Sequence, residues 1–297
     1  MDYLWFTKKC FEQKIDIIMR LHSFNITNFK IDGGTMFGVV PKAIWSRKYP
    51  SDENNLCNCA IRTLLIEEGD KKILIDTGYG NKQNEKFFSH VHLNGGEGLV
   101  EGLANRGIKP EEITDVIITH MHTDHCGGCV IKDEKNGEYK LLFENANHWV
   151  SREHWEWAIN PNYREADAFL KENIMPIYES GKLKYANENT VISESISIKI
   201  YNGHTLGQII PYIKYKDKTI IFCADQFPSL AHIPIKYMAA FDVYPMEMLK
   251  EKMAIIEDAL KNDYILFFQH DAYVECASLQ MTEKGIKEKE TFTIADL

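Results

Sequence analysis

The sequence predicts an α/β chain: two mixed β-sheets packed face to face with helices on the outer faces, an αββα sandwich. Three observations predict it. Short apolar segments with strand character recur in both halves of the chain. Helical segments separate and follow them. No repeat of 20–50 residues and no Pro/Gly-rich linker divides the chain. Residues 19–297 therefore read as one domain, and residues 1–18 as an N-terminal extension kept outside the fold argument. Sandwiches and barrels often reach such a length, and a chain of 297 residues buries roughly three quarters of its unfolded surface.

The elements follow in order. Residues 21–30 and 59–67 alternate as half-buried strands do. Residues 72–76, KILID, form a short apolar run that stops at Thr77-Gly78. Residues 96–106 have helical spacing and a stop signal at Gly107. Residues 115–119, DVIIT, read as a buried strand running directly into a polar cluster. Residues 133–138 have the length of a hairpin turn, and residues 151–173 read as an aromatic-rich helix broken at Pro161. In the second half, residues 196–201 form a strand that ends before Gly203-His204. Residues 208–215 and 218–224 form a strand pair joined by Lys216-Asp217. Residues 247–260 form a helix with apolar positions at Leu249, Met253, Ile256 and Leu260. Residues 263–269 form another buried strand, and the remainder is strand-like.

Composition narrows the function. With 44% hydrophobic and 26% charged residues, global disorder is excluded. Lys and Arg number 34 against 43 Asp and Glu, a net charge of -9. Nucleic-acid binders normally carry the opposite balance, so a small-molecule substrate is expected and no nucleic acid. No apolar run reaches 18 residues, so no membrane partner is expected. The first residues are broken by charges and lack the apolar core of a secretory signal. The seven cysteines are odd in number and read as free, buried thiols, Cys126-x-x-Cys129 included, which points to a reducing, cytoplasmic setting. A homodimer is compatible with the sequence.

The chemistry lies at the end of the DVIIT strand. Residues 119–128 read THMHTDHCGG and place His120, His122, Asp124 and His125 within six positions. Imidazole and carboxylate are ligands that suit zinc and similar metals. The same strand-then-ligand pattern recurs with His204 in GHTLG, Asp225 at the end of IIFCAD and His270 in FFQHD. Seven ligands exceed one tetrahedral ion and suit two. The expected partition puts His120, His122 and His204 on one ion, and Asp124, His125 and His270 on the other. Asp225 joins the two. Two divalent ions, zinc being the expected identity, leave such a site net positive even with both carboxylates and a hydroxide bound. His148, His154 and His232 read as structural histidines.

These motifs in this order resemble the metallo-β-lactamase superfamily, from about residue 19 onward. The resemblance implies the αββα sandwich. It also implies that Asp76 in ILIDTG supports the metal ligands from behind. Five His and two Asp resemble most closely the N-acyl-homoserine lactonases and the methyl-parathion-hydrolase-like enzymes. The lactonases place a Tyr three residues after the bridging Asp, where this chain has Pro228. No helical substrate domain of the glyoxalase II type and no basic arm of the tRNA-processing type is evident. The expectation is a dinuclear metal-dependent hydrolase in which a metal-held hydroxide attacks an ester-type bond of a small, largely apolar substrate, a lactone first. The alternatives are a phosphotriester or thioester hydrolase of the same superfamily, or a metal-binding relative without turnover. Asp124 and Asp225 are the expected catalytic carboxylates, Asp124 as proton carrier to the leaving group. Phe37, Trp45, Trp149, Phe227 and Met238 are the expected pocket walls, and no Lys/Arg cluster accompanies the motifs.

Overall fold

The longest ladder joins β1 (Met19–Asp32) to β2 (Leu56–Glu68), antiparallel from Met19↔Glu68 to Asp32↔Leu56. In this computed structural model, which describes residues 19–297, β2 is buried along most of its length. Successive β2 side chains serve opposite faces, as the period of two demands. Cys57, Cys59, Ile61 and Leu65 enter one apolar cluster, and Leu64 and Ile66 enter the other. The first cluster lies beneath the helices Leu99–Ala104, Arg152–Ala158 and Lys171–Glu179, through Leu103, Trp155, Ala158, Ile174 and Ile177. The second fills the space between the sheets and continues under the helix Pro245–Asn262, through Ile255, Ile256 and Ala259. These are the layers of an αββα sandwich.

Five further strands complete the first half of the architecture: β3 (Lys71–Ile75), β4 (Asp115–Ile117), the hairpin β5 (Val130–Lys132) and β6 (Tyr139–Leu141), and β7 (Asn147–Ser151). After them come β8 (Leu183–Ala186), β9 (Ile196–Tyr201), β10 (Gln208–Tyr215) and β11 (Lys218–Phe222). The chain ends with β12 (Ile265–Phe267), β13 (Cys276–Thr282) and β14 (Gly285–Phe292). One sheet has the order β1-β2-β3-β4-β7-β8 and the other β14-β13-β12-β11-β10-β9. Both are mixed: β3, β4, β7 and β8 run parallel, as do β11 and β12. Two antiparallel steps through β10 align β9 with β11. In each sheet, then, the strands preceding the motif residues finish at the same edge.

Two regions depart from the sequence reading. The helix expected over residues 151–173 is instead the helix Arg152–Ala158, a turn and the helix Lys171–Glu179. Beyond Pro161, the Asn162 side chain accepts from the backbone N–H groups of Arg164 and Glu165, and this local turn competes with helix. The stretch 33–50 holds two short helices, Gly33–Phe37 and Lys42–Trp45, the first capped by Asp32 accepting from Gly34 and Thr35. The extension at residues 1–18, Cys10 included, lies outside the described residues; the other six cysteines are buried and free.

His148, the second residue of β7, is fully buried, and neither ring nitrogen has a well-aligned hydrogen-bond partner. Burial pushes its pKa down to about 4. The unfolded chain takes up this proton near pH 6.5 and the folded chain only near 4, so stability falls as pH drops through that window. Replacing His148 with Leu is expected to raise stability near pH 5 and to flatten its pH dependence by up to ~1.4 kcal/mol per pH unit. Denaturant melts of both proteins at pH 7 and pH 5 measure this; an unchanged slope would refute it.

Candidate metal centre

The seven motif residues gather at the common edge. His120, His122, Asp124 and His125 lie on the loop and the short helix Thr123–Cys126 that follow β4. His204 follows β9, Asp225 follows β11 and His270 follows β12. Close approach makes this possible. A Cβ on Gly127 would come within 2.2 Å of the Tyr79 carbonyl oxygen, and one on Gly128 equally near that of Thr77. Glycine at both positions lets the His/Asp loop rest on the chain leaving β3.

Each imidazole is fixed by one nitrogen. His125 Nδ1 donates to Asp76 Oδ2 at 2.8 Å and His270 Nδ1 to the Ala60 carbonyl at 2.8 Å. His204 Nδ1 donates to Asp242 Oδ1 at 3.0 Å and His122 Nε2 to Glu165 Oε1 at 3.3 Å. Thr119 Oγ1 donates to Asp76 Oδ2 at 2.7 Å and so accepts from His120 Nδ1 at 3.1 Å. These acceptors orient the rings and turn the other nitrogen of all five inward, where, once free of its proton, it can take a metal ion.

The five nitrogens converge. His204 Nε2 lies 3.2 Å from His122 Nδ1, and His270 Nε2 lies 3.3 Å from His125 Nε2. Ring nitrogens so close share either a proton or a cation. With zinc–nitrogen bonds of 2.0–2.1 Å, the edge of a tetrahedral site is about 3.3 Å, so the spacing matches shared coordination. His120 Nε2 is buried without a hydrogen-bond partner, as befits a nitrogen aimed at a metal ion. The Asp225 oxygens divide between the halves of the cluster: Oδ2 lies 3.2 Å from His204 and 4.0 Å from His120, Oδ1 3.3 Å from His125 and 2.9 Å from His270. Asp124 Oδ2 stands 3.7 Å from His125 and 3.8 Å from His270. The ligand atoms fall into three groups, each within 4.8 Å: His120, His122 and His204; His120, His125 and Asp225; Asp124, His125 and His270.

Electrostatics follow from burial and charge. Burial, aided by the neighbouring imidazoles, holds His120 well below the ordinary histidine range. Burial also opposes a charge on His125, but Asp124, Asp225 and Asp76 outweigh it and push the pKa well up. Burial raises Asp225, yet His125, His270 and His204 together hold it well below the usual carboxylate range. The cluster is thus built around a carboxylate that stays ionised. Cys126 Sγ turns away to the Met121 carbonyl at 3.3 Å, and Cys129 lies against Thr77 Oγ1 at 3.5 Å. Burial pushes both thiols up, Cys129 to about 12, away from the thiolate form that binds metal.

A cavity of about 250 Å³ opens on the centre. Its apolar wall is Phe29, Ile31, Met36, Tyr79 and Phe241, with Arg164 and Glu165 at its side. None of the five aromatic and Met residues expected to line it does so. Phe37 is stacked between Trp45 and His232, at 5.0 and 4.9 Å, inside the core. Trp149 donates to Asp115 Oδ1 at 2.7 Å. Phe227 is fully buried beneath the Lys252 ammonium, and Met238 lies outside the lining. Large aromatics went to the core because burying them there removes most apolar area from water. Phe29 and Ile31, two apart near the end of β1, carried a strand-face signal; Glu165, Asp242 and Phe241 carried none. Among the described residues Arg164 is the one Lys or Arg on the lining, and it is exposed.

Comparison with known proteins accords with this geometry. Residues 58–131 match the profile of the metallo-beta-lactamase superfamily. A probable metal-dependent hydrolase from Staphylococcus aureus is 30% identical, superposes with a TM-score of 0.83, and is covered over 96% of its length by 93% of this chain. The chain belongs to the metallo-beta-lactamase superfamily. Within that superfamily it is 32% identical over 132 residues to an N-acyl homoserine lactonase of Bacillus cereus, a match spanning 41% of this chain and 46% of that protein. It thus spans about half the length of that relative. A dizinc quorum-quenching lactonase shares the fold, with a TM-score of 0.76 at 19% identity over 93% of this chain and 95% of that one.

Two outcomes test the centre. Asp76→Asn is expected to weaken metal binding about 10–100-fold, as loss of a carboxylate behind a ligating histidine does; competition with a chromophoric chelator measures it, and an unchanged affinity would exclude the supporting role. The Cys126→Ala, Cys129→Ala double variant is expected to keep its full metal content by elemental analysis, and loss of an ion would make sulfur a ligand.

Proposed function

We propose that the chain is a dinuclear metal-dependent hydrolase acting on an ester-type bond of a small, largely apolar substrate, a lactone first. The observation that carries the reading is the convergence of five imidazole nitrogens around a carboxylate whose two oxygens serve both halves of the cluster. His120, His122 and His204 would hold one ion, Asp124, His125 and His270 the other, with Asp225 between them. Two divalent ions, zinc by the donor set, would supply Lewis acidity and a lowered pKa for water.

The chain's own residues do the rest. Asp225 keeps the two halves at fixed separation. The carboxylates of Asp76, Asp242 and Glu165 hold the ring planes, so that no ligand must reorganise during the reaction. Phe29, Ile31, Met36 and Phe241 exclude water and receive an acyl chain or aryl group. Pro228 lines the cavity and has no proton to give. The lining groups able to pass one to the leaving oxygen are Asp124, partly exposed to the cavity, and the phenol of Tyr79. Burial first, then the charges of Asp124 and Asp225, push the Tyr79 phenol well up, so it serves as a neutral donor.

The lactonase relatives support the lactone. Pro228 favours a second reading, a phosphotriester with an aryloxide leaving group, which departs with little help from an acid. The deciding measurement is kcat/KM on a long-acyl homoserine lactone and on an aryl phosphotriester, each against His122→Ala. Turnover of either, reduced at least 100-fold in the variant, supports the hydrolase. Turnover of neither, with a thioester or an RNA hydrolysed instead, would sink the substrate class. Asp225→Ala is expected to lose at least one ion by metal analysis; two ions retained at full activity would remove its bridging role.

A further inference from the structure

Arg164 stands apart from the rest of the cavity wall. It is exposed, and among the described residues it is the only Lys or Arg on the lining. One guanidinium nitrogen donates to the Ala240 carbonyl across the cavity mouth, and its backbone N–H donates to Asn162 Oδ1 at 2.7 Å. Ala240 is in turn fixed to Thr35 by a backbone hydrogen bond of 2.8 Å. The guanidinium is therefore held at the mouth, yet no carboxylate neutralises it. The nearest in sequence, Glu165, is already committed: Oε1 to His122 at 3.3 Å, Oε2 to Trp157 at 2.6 Å and to Asn162 at 3.3 Å. Among the described residues Arg20, Arg62 and Arg106 have ion pairs and Arg47, Arg152 and Arg164 have none, and of these three Arg164 is the one that lines the cavity. A guanidinium carries five N–H donors in a planar fork. With one spent on Ala240, the others remain for a ligand oxygen.

We propose that Arg164 is a specificity residue: its guanidinium receives a carboxylate that the substrate carries away from the scissile carbonyl. The inference rests on the hydrolase reading above and sharpens it to an ester or lactone with an apolar body and one anionic end. A single unpaired guanidinium suits a monoanion. A phosphate dianion would meet no second positive side chain on this wall.

Arg164 also joins the loop of Glu165 to the loop that carries Phe241 and Asp242, so a purely structural clasp is the competing role. The test separates the two by a ratio. Two p-nitrophenyl esters of equal chain length are compared, the hexanoate and the mono-ester of hexanedioic acid, with the metal-loaded protein. Wild type is expected to favour the carboxylated ester about tenfold in kcat/KM, mainly through KM. In Arg164→Ala this preference falls to about one, and Arg164→Lys keeps part of it. The wild-type preference also shrinks between 0.05 and 0.5 M salt, because the site is exposed. A clasp alone would lower both esters together and leave the ratio intact, which overturns the proposal, as does the absence of any wild-type preference. The mono-anilide of hexanedioic acid, which is not readily cleaved, serves as an equilibrium ligand. If neither ester turns over, anilide binding weakened about tenfold in Arg164→Ala upholds the anion site while the hydrolase reading fails. Equal binding to both proteins overturns the anion site itself.

Discussion

The carboxylate of Asp76 is the contact on which the rest of the site depends. It is fully buried at the end of β3, at a positive φ of 57°. It accepts from the Thr119 N–H at 2.8 Å, the Thr119 hydroxyl at 2.7 Å, His125 Nδ1 at 2.8 Å and Gln269 Nε2 at 3.0 Å. Those donors come from the residues that follow β4 and β12, one strand in each sheet, and from the His/Asp loop. A buried carboxylate is costly unless its oxygens are satisfied, so this fourfold satisfaction locks the sheets together at the edge where the ligands emerge. Thr119 passes the constraint to His120, and His270 is next to Gln269.

The direction of the strands makes the convergence possible. Parallel β3 and β4 bring Asp76 and the His/Asp loop to one edge, and parallel β11 and β12 do the same for Asp225 and His270. Polar side chains there avoid the cost of lying in the apolar space between the sheets, where Ile73, Ile75, Ile117, Ile220 and Phe222 pack. The sandwich buries its apolar strands and leaves its edge for ligands, so stability and chemistry occupy different ends of the same strands.

What was legible in the sequence follows from this division. All seven cluster residues follow apolar strands directly, so their position is set by local chain direction, and short-range pattern reading finds them. The sandwich was legible for the same reason. Glu165, Asp242, Phe241 and Arg164 were not, because each reaches the site across a loop whose course depends on contacts far away in the chain. Asp242 meets His204 from 38 positions away, and Glu165 meets His122 from 43. Aromatic content misled in the other direction: Phe37, Trp45 and Phe227 lie close in sequence to motif or loop signals, yet their large apolar area is drawn to the core. β7 and β8 escaped notice because they are short, five and four residues, too few for an alternating pattern to stand out.

The anchors also divide the centre into unlike halves. His120, His125 and His270 are fixed by Thr119, Asp76 and the Ala60 carbonyl, groups on strands or at their ends. His122 and His204 are fixed by Glu165 and Asp242, carboxylates on loops that also supply the cavity's Arg164 and Phe241. Displacing an anchor of the first kind disturbs the sheets, so the fold resists it. Displacing one of the second kind moves a loop and a ligand together while the sandwich stands. The wall of the cavity mouth and the orientation of His122 and His204 are therefore carried by the same two loops. A change that reshapes the cavity mouth also retunes His122 and His204, and this coupling limits how far the pocket can vary without altering the chemistry beneath it.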